Sequence, residues 1–368
     1  MQEAQTGTYR VRMSVEPAVI LSRPKTFKGD WYEFLFENME HAKMKVAKGL
    51  RITATLSSMP DIETAGSRAR GLVDRFLSLL SYLTVTSLPE ILIHKVYDVT
   101  PGRTRGRFLQ KYYGVQLDTM SVRPINDSDL VEATKRLSGL SEDDNNSLFR
   151  AMHWYRLALQ SGDVLERFAL LWIGLESINC LLRGHYGLEI EYSHCQECGH
   201  RGVPTLNGVR KLWSDAKTEV SWKRVLGQRA GTLHGFDALK DIVPEAKFMV
   251  PLLERVLREG LDMLLGVTSR TDTSPLDLGA ARPAYYSSEA IVEGPDLQYL
   301  DSTIIPQFEI DLKTLDPMPD RQGQKFNATP IIDKRFCFVD VKHKYHPSPQ
   351  TGWRVEVETF GEHQGPPK

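Results

Sequence analysis

The sequence predicts an α+β protein: an N-terminal sheet-plus-helix module, a central all-α bundle and a β-containing C-terminal tail. Three observations predict it. Residues 8–21 and 50–56 alternate apolar and polar side chains, the period of a half-buried strand. From residue 126 to Gly266 apolar residues recur at helical spacing, broken by short polar or glycine-bearing stretches. Beyond Gly266 a linker rich in Ser, Thr, Pro and Gly precedes renewed alternation. The expected divisions are 1–122, 123–268 and 269–368.

In the first module Tyr9, Val11, Met13 and Val15 oppose Arg10, Arg12 and Ser14. Leu50, Ile52, Ala54 and Leu56 repeat the pattern against Arg51, Thr53 and Thr55, while WYEFLFEN between them is apolar and ambiguous in period. From Ile62, the residues Ala65, Ala69, Leu72, Val73, Phe76, Leu77, Leu80 and Leu83 predict one long helix ending before Pro89. ILIHKVYDV and FLQKYYGV read as strands around a turn at Pro101-Gly102.

The bundle begins with DSDLVEATKRLSG, a short helix stopped at Gly139. NNSLFRAMHWYRLALQSG follows, with Leu148, Met152, Tyr155 and Leu159 on one face and Gly162 ending it. Residues 163–184 open on Asp163 and Glu166, a capping-box-like pair, with Gly184 as the expected stop. Leu165, Phe168, Trp172, Ile173, Leu175, Ile178 and Leu182 cover most of this helix's circumference, so it is buried on nearly all sides. Glu166, Arg167, Glu176 and Asn179 interrupt the run, which makes it a core helix and not a membrane span. Residues 222–236 carry Gly227, Gly231 and Gly235. Each costs a helix about 1 kcal/mol relative to Ala, a penalty that close backbone packing would offset. In the last helix Pro244 is expected in the first turn and Pro251 at a kink, with Leu253, Leu257, Leu261 and Leu264 as the core stripe. In the tail, strands are expected around Phe308–Leu312, Phe336–Val339 and Trp353–Glu358, as a small sheet of their own or as additions to the N-terminal one.

Composition limits the function. The chain has 368 residues and a net charge of −1, so no global field draws it to nucleic acid or anionic membrane. RNA binding would have to come from local patches. Four cysteines are too few for a disulfide scaffold, and MQEAQTGTYRVR lacks the apolar core of a signal peptide, so a cytoplasmic protein is expected. Neither a P-loop, a GxGxxG, an HExxH nor a GxSxG sequence occurs, which leaves nucleotide-hydrolase, dinucleotide-redox and serine-hydrolase chemistries without support.

Arg229-Ala-Gly-Thr-Leu-His234, followed by Gly235, is an Arg-x4-His element placed behind the long buried helix. With that helix it resembles the HEPN superfamily, most closely the Apea-like branch, over roughly residues 125–266. The resemblance implies a homodimer in which two Arg229/His234 pairs meet and cleave RNA without metal, in a toxin or anti-phage setting. One His234 would take the proton of the ribose 2′-OH, the other would protonate the leaving 5′-oxygen, and Arg229 would stabilise the phosphorane. The chain departs from the RNA-cleaving members at Ala230, where they carry a polar residue. The layout is also similar to that of methylamine-utilisation accessory proteins, which implies a second reading, a non-catalytic dimerisation or accessory module.

Two further groups accompany the element. His194-Cys195-Gln-Glu-Cys198-Gly-His200, inside the insert 185–208, provides two thiolates at zinc-knuckle spacing. His200 with His194 or His185 would complete a structural zinc site; no cofactor is expected for catalysis. Arg103, Arg105 and Arg107 precede Lys111, Tyr112 and Tyr113, a basic-aromatic mix suited to a single RNA strand. Lys223 and Arg224 would widen the positive field of Arg229. Opposed to these stand plainer structural roles: a surface ion pair for Arg229, a helix-end cap for His234, reduced thiols for the insert and solvated faces for the basic residues.

Overall fold

A computed structural model describes residues 6–15, 19–40, 47–89, 91–113, 123–194, 201–234, 238–267, 285–310 and 328–346. The chain divides into two compact units. One comprises Met1–Asp74, Glu90–Val122 and Ala280–Lys368, the other Arg75–Pro89 and Arg123–Gly279.

The first unit contains β1 (Gly7–Val15), β2 (Val19–Ile20), β3 (Lys25–Gly29), β4 (Tyr32–Glu40), β5 (Ala47–Met59), the start of α1 (Ile62–Thr84), β6 (Leu92–Asp98) and β7 (Arg105–Tyr113). Eight strands form one antiparallel sheet in the order β14-β11-β7-β6-β1-β5-β4-β3, where β11 is Tyr285–Glu293 and β14 is Cys337–His346. The C-terminal stretch therefore extends the N-terminal sheet. A separate two-stranded pair joins β12 (Gln307–Ile310) to β13 (Ala328–Ile331). Of the expected tail strands, Phe308 lies in β12 and Phe338 in β14, whereas Trp353–Glu358 lies outside the described residues.

Alternation sorts the side chains onto two faces. Tyr9, Val11 and Met13 pair with Leu56, Ala54 and Ile52, and Phe34 and Phe36 of β4 continue the same buried layer. The first half of α1 covers this face through Ile62, Ala65, Ala69 and Val73, and Gly66 brings its backbone against Val96. The opposite face carries Arg10, Arg12, Lys95 and Tyr97. Beside them it builds a second core from Tyr97, Phe108, Ala290 and Val292 under Leu297, Leu300, Phe308 and Phe336.

The second unit begins with the end of α1 and β8 (Arg123–Pro124), followed by α2 (Asp127–Ser138), α3 (Glu142–Gln160), α4 (Val164–Tyr186), β9 (Tyr192–His194) and β10 (Arg201–Pro204). It closes with α5 (Asn207–Asp215), α6 (Trp222–His234) and α7 (Leu239–Leu265). The helix α1 ends at Val85, whose φ of 50° leaves the helical region. Arg123 Nη1 donates to the carbonyls of Thr84 and Val85, both at 2.9 Å, filling acceptors that a helix end leaves open.

At the centre α4 packs against α3, α5 and α7. Phe168, Leu171, Trp172, Leu175, Ile178 and Leu182 are fully buried, as the sequence pattern requires. Asp163 caps α4 by accepting from the N–H groups of Leu165 and Glu166. The helix runs past Gly184 and ends at Gly187, which adopts φ 63° and returns its N–H to Arg183 and Gly184. A left-handed residue ends a helix; Gly184 is glycine without that conformation. The last helix starts before Pro244, at Leu239, because the Ala238 carbonyl already accepts from Asp241 and Ile242. Pro244 and Pro251 both lie inside it. The short α5, absent from the sequence reading, is tied to α4 by Asn179, whose Oδ1 accepts from Val209 N–H and whose Nδ2 donates to Thr205. A Cβ at Gly208 would meet the Asn179 carbonyl at 2.6 Å, so this glycine permits the close approach.

Candidate functional site

Arg229 sits on α6 and reaches α4. Its Nη2 lies 3.1 Å from Glu176 Oε1, with about a third of each side chain exposed (33% and 31%). The same oxygen accepts from the Trp172 indole N–H at 2.5 Å. The guanidinium also lies over the Trp172 ring, 5.9 Å from its centroid, which adds a cation–π attraction. Trp172 stacks on Trp222 (5.7 Å, 30°), and Trp222 meets Trp213 at 6.3 Å. Trp213 is fixed by donating its indole N–H to the Val220 carbonyl.

Local sequence explains this geometry. Trp172 and Glu176 are four residues apart on α4, so they share a face one turn apart. Glu176, one of the polar interruptions in an apolar run, carries the carboxylate out of the core where α6 crosses. Toward α7, Gln228 donates to the Ile242 carbonyl at 2.8 Å and Arg224 pairs with Glu245 at 2.6 Å beneath Phe248. The carboxylate raises the Arg224 guanidinium pKa further above its already high value. Both long faces of α6 are thereby clamped, and Arg229 holds one fixed direction. Its Nε is buried and lacks a hydrogen-bond partner among the described residues.

His234 is the last residue of α6, and the helix is continuous from Trp222 to that point. Five residues along an α-helix place the two Cα atoms about 7.5 Å apart along the axis and about 140° around it. Within one chain the backbone positions of Arg229 and His234 thus lie on different sides of α6. Gly227 has open space where a Cβ would stand, whereas Gly231 is buried; Gly235 lies outside the described residues. Exposed Leu226 and Leu233 accompany Gly227 on α6, with Leu239 and Val243 exposed at the start of α7.

The other expected site residues fall into two groups. The arginines in and just before β7 are each matched by a carboxylate: Arg103 with Asp98 at 2.6 Å, Arg107 with Glu63 at 2.7 Å, and Arg105 with Glu293 and Asp340 at 3.3 and 3.4 Å. Lys223 is exposed on α6. Cys195, Cys198 and His200 lie outside the described residues, between the paired strands β9 and β10 that bracket them with His194 opposite Arg201. His185 is exposed in the last turn of α4. No group of three potential metal ligands occurs among the described residues, and no helix among them is long and apolar enough to cross a membrane.

Sequence reasoning missed Glu176 and Trp172 as partners of Arg229. The available signal was a carboxylate one turn after a tryptophan in an otherwise apolar helix. Comparisons with protein-family models, curated proteins and solved structures find no match to this chain.

Proposed function

We propose that the helical unit is a metal-independent endoribonuclease module of HEPN type that works as a homodimer, with Arg229 and His234 as its catalytic residues. The observation that carries this reading is the fixed, partly exposed Arg229 guanidinium, anchored by Glu176 and Trp172 one helical stretch before His234. A cation held in place before substrate arrives needs no reorganisation as charge grows on a phosphorane. Because Arg229 and His234 stand about 140° apart around one helix, the site requires the pair from a second copy. The open surface at Gly227 and the exposed Leu226, Leu233, Leu239 and Val243 support α6 and the start of α7 as the contact.

In this scheme His234 accepts the 2′-OH proton, the 2′-oxygen attacks phosphorus, and the 5′-oxygen leaves with a proton from the second copy's protonated imidazole, the imidazolium. The products are a 2′,3′-cyclic phosphate and a 5′-hydroxyl. DNA, lacking the nucleophile, stays intact. Cys195 and Cys198, with His200 and His194, would hold one structural zinc that takes no part in the chemistry. Exposed Lys223 is open to RNA, whereas Arg224, Arg103, Arg105 and Arg107 contact it only if their present carboxylate partners release them.

A second reading, a non-catalytic dimerisation or accessory module, is favoured by Ala230 and by the one-to-one neutralisation of Arg229 by Glu176. Labelled RNA incubated with wild type and His234→Ala in chelator decides between them. Wild-type cleavage that leaves cyclic phosphate ends and vanishes in the variant supports the nuclease. Intact RNA with both proteins, across several substrates, supports the accessory module.

A further inference from the structure

A second concentration of charge lies on the sheet, on the face opposite the first half of α1. Arg10 of β1 stands across from Tyr97 of β6, and Arg12 across from Lys95. Asp301 answers both arginines, 2.9 Å from Arg10 Nη1 and 3.2 Å from Arg12 Nη2, and accepts from the Tyr97 hydroxyl at 2.8 Å. Among the described residues Lys95 receives only a neutral partner, the Gln307 amide oxygen at 2.9 Å. Two arginines therefore share one carboxylate while Lys95, across the ladder from Arg12, has none, an excess of two positive charges among the described residues.

That excess is unfavourable as it stands. Like charges directly opposite on paired strands repel each other. Lys95 is also half-buried, which disfavours an uncompensated charge. Its ammonium pKa is pushed down to about 8, by burial first and then by Arg12. The neighbouring His94 adds no compensation: burial, Lys95 and Arg51 push it down to about 4, so it is neutral beside Ser14, whose Oγ lies 2.6 Å from His94 Nε2.

The geometry points to an anion site in which Lys95 and Arg12 bind the phosphoryl group of a small phosphorylated molecule. The donors fit. Arg12 uses Nε on the Tyr97 hydroxyl, Nη1 on Thr53 and Nη2 on Asp301, which leaves two of its five N–H groups without a partner among the described residues. Lys95 uses one of three on Gln307. A fixed guanidinium fork beside a mobile ammonium is the donor set that phosphate oxygens take, and a dianion balances an excess of two charges. Inorganic phosphate, pyrophosphate and a nucleotide share this chemistry.

The test uses the full chain, titrated by calorimetry and thermal shift with inorganic phosphate, pyrophosphate or ATP against sodium chloride at matched ionic strength. Wild type is expected to give a saturable response to at least one of the three, and which one responds identifies the source of the phosphoryl group. Lys95→Met should weaken it at least tenfold. Gln307→Glu, which supplies Lys95 with a carboxylate, should abolish it while raising the melting temperature of the ligand-free protein. No saturable response in wild type overturns the site, as does a response that survives unchanged in both variants.

Discussion

Two arginines organise the two units in opposite ways. On the sheet, Arg12 belongs to a cluster held by partners 85 and 289 residues away, Tyr97 and Asp301, and the Asp301 side chain is only 5% exposed. In the bundle, Arg229 is matched one to one with Glu176, 53 residues away, and about a third of each side chain meets solvent. The first is a buried, unbalanced network and the second an accessible, balanced pair. Burial raises the energetic weight of a charge, while balance lowers what its loss does to its neighbours. The sheet cluster should therefore dominate stability, and the bundle pair should matter chiefly for chemistry.

The contrast breaks most readily at Asp301. Asp301→Ala strands Arg10 and Arg12 and is expected to destabilise the sheet unit by about 3–5 kcal/mol, the usual consequence of removing one partner of a buried pair. Urea unfolding of the purified variant measures it, and a loss below about 1 kcal/mol would remove the distinction between the clusters. Next comes chemistry. On the proposed ribonuclease reading, Arg229→Ala and His234→Ala should each lower RNA cleavage by about 10²-fold or more while the unfolding midpoint stays near that of wild type. Activity surviving both substitutions places the reaction elsewhere.

A pH titration sharpens the sheet side. The unfolded chain protonates His94 near its ordinary value of 6.5, whereas the folded sheet resists until about 4. In that window the unfolded state binds more protons, so stability falls as pH drops from about 6.5 to about 4, by on the order of 1–3 kcal/mol. Unfolding of wild type and His94→Gln at pH 7 and pH 4.5 isolates this contribution: the variant should lose less, and equal losses would reject it. The smallest effect belongs to the bundle. Glu176→Gln keeps an acceptor for the Trp172 indole and removes the charge facing Arg229, so about 0.5–1 kcal/mol is expected. A loss as large as that at Asp301 would show that the pair is coupled to the core.

The same contrast explains what was legible in the sequence. The buried character of α4, the alternation of β1 and β5, and the Arg229/His234 element are local patterns, readable within a few turns or pleats. Asp301 was not readable, because it occupies an irregular stretch and acquires meaning only when Arg10, Arg12 and Tyr97 are folded beneath it. The strand β11 was missed for a related reason: Ser287 and Ser288 break its apolar alternation, yet both are buried, and they meet His346 and His343 of β14. The helix α5 was hidden by its length and its lack of a side-chain N-cap, although Val209, Leu212 and Trp213 carry helical spacing. Glycine spacing misled at Gly184, where the residue type fitted a stop and the backbone continued.

The strand order β14-β11-β7 also has a consequence for the nascent chain. A ribosome delivers all of 75–89 and 123–279, the whole second unit, before it reaches β11 at Tyr285. Until then β7 has no neighbour on one side, and its row of open N–H and C=O groups can recruit a strand from another chain. Synthesis thus runs through a stage in which the bundle can be complete and the sheet still lacks two strands. That interval, set by the roughly 5–20 residues per second of translation, is when this protein most needs a chaperone or dilution from its own copies.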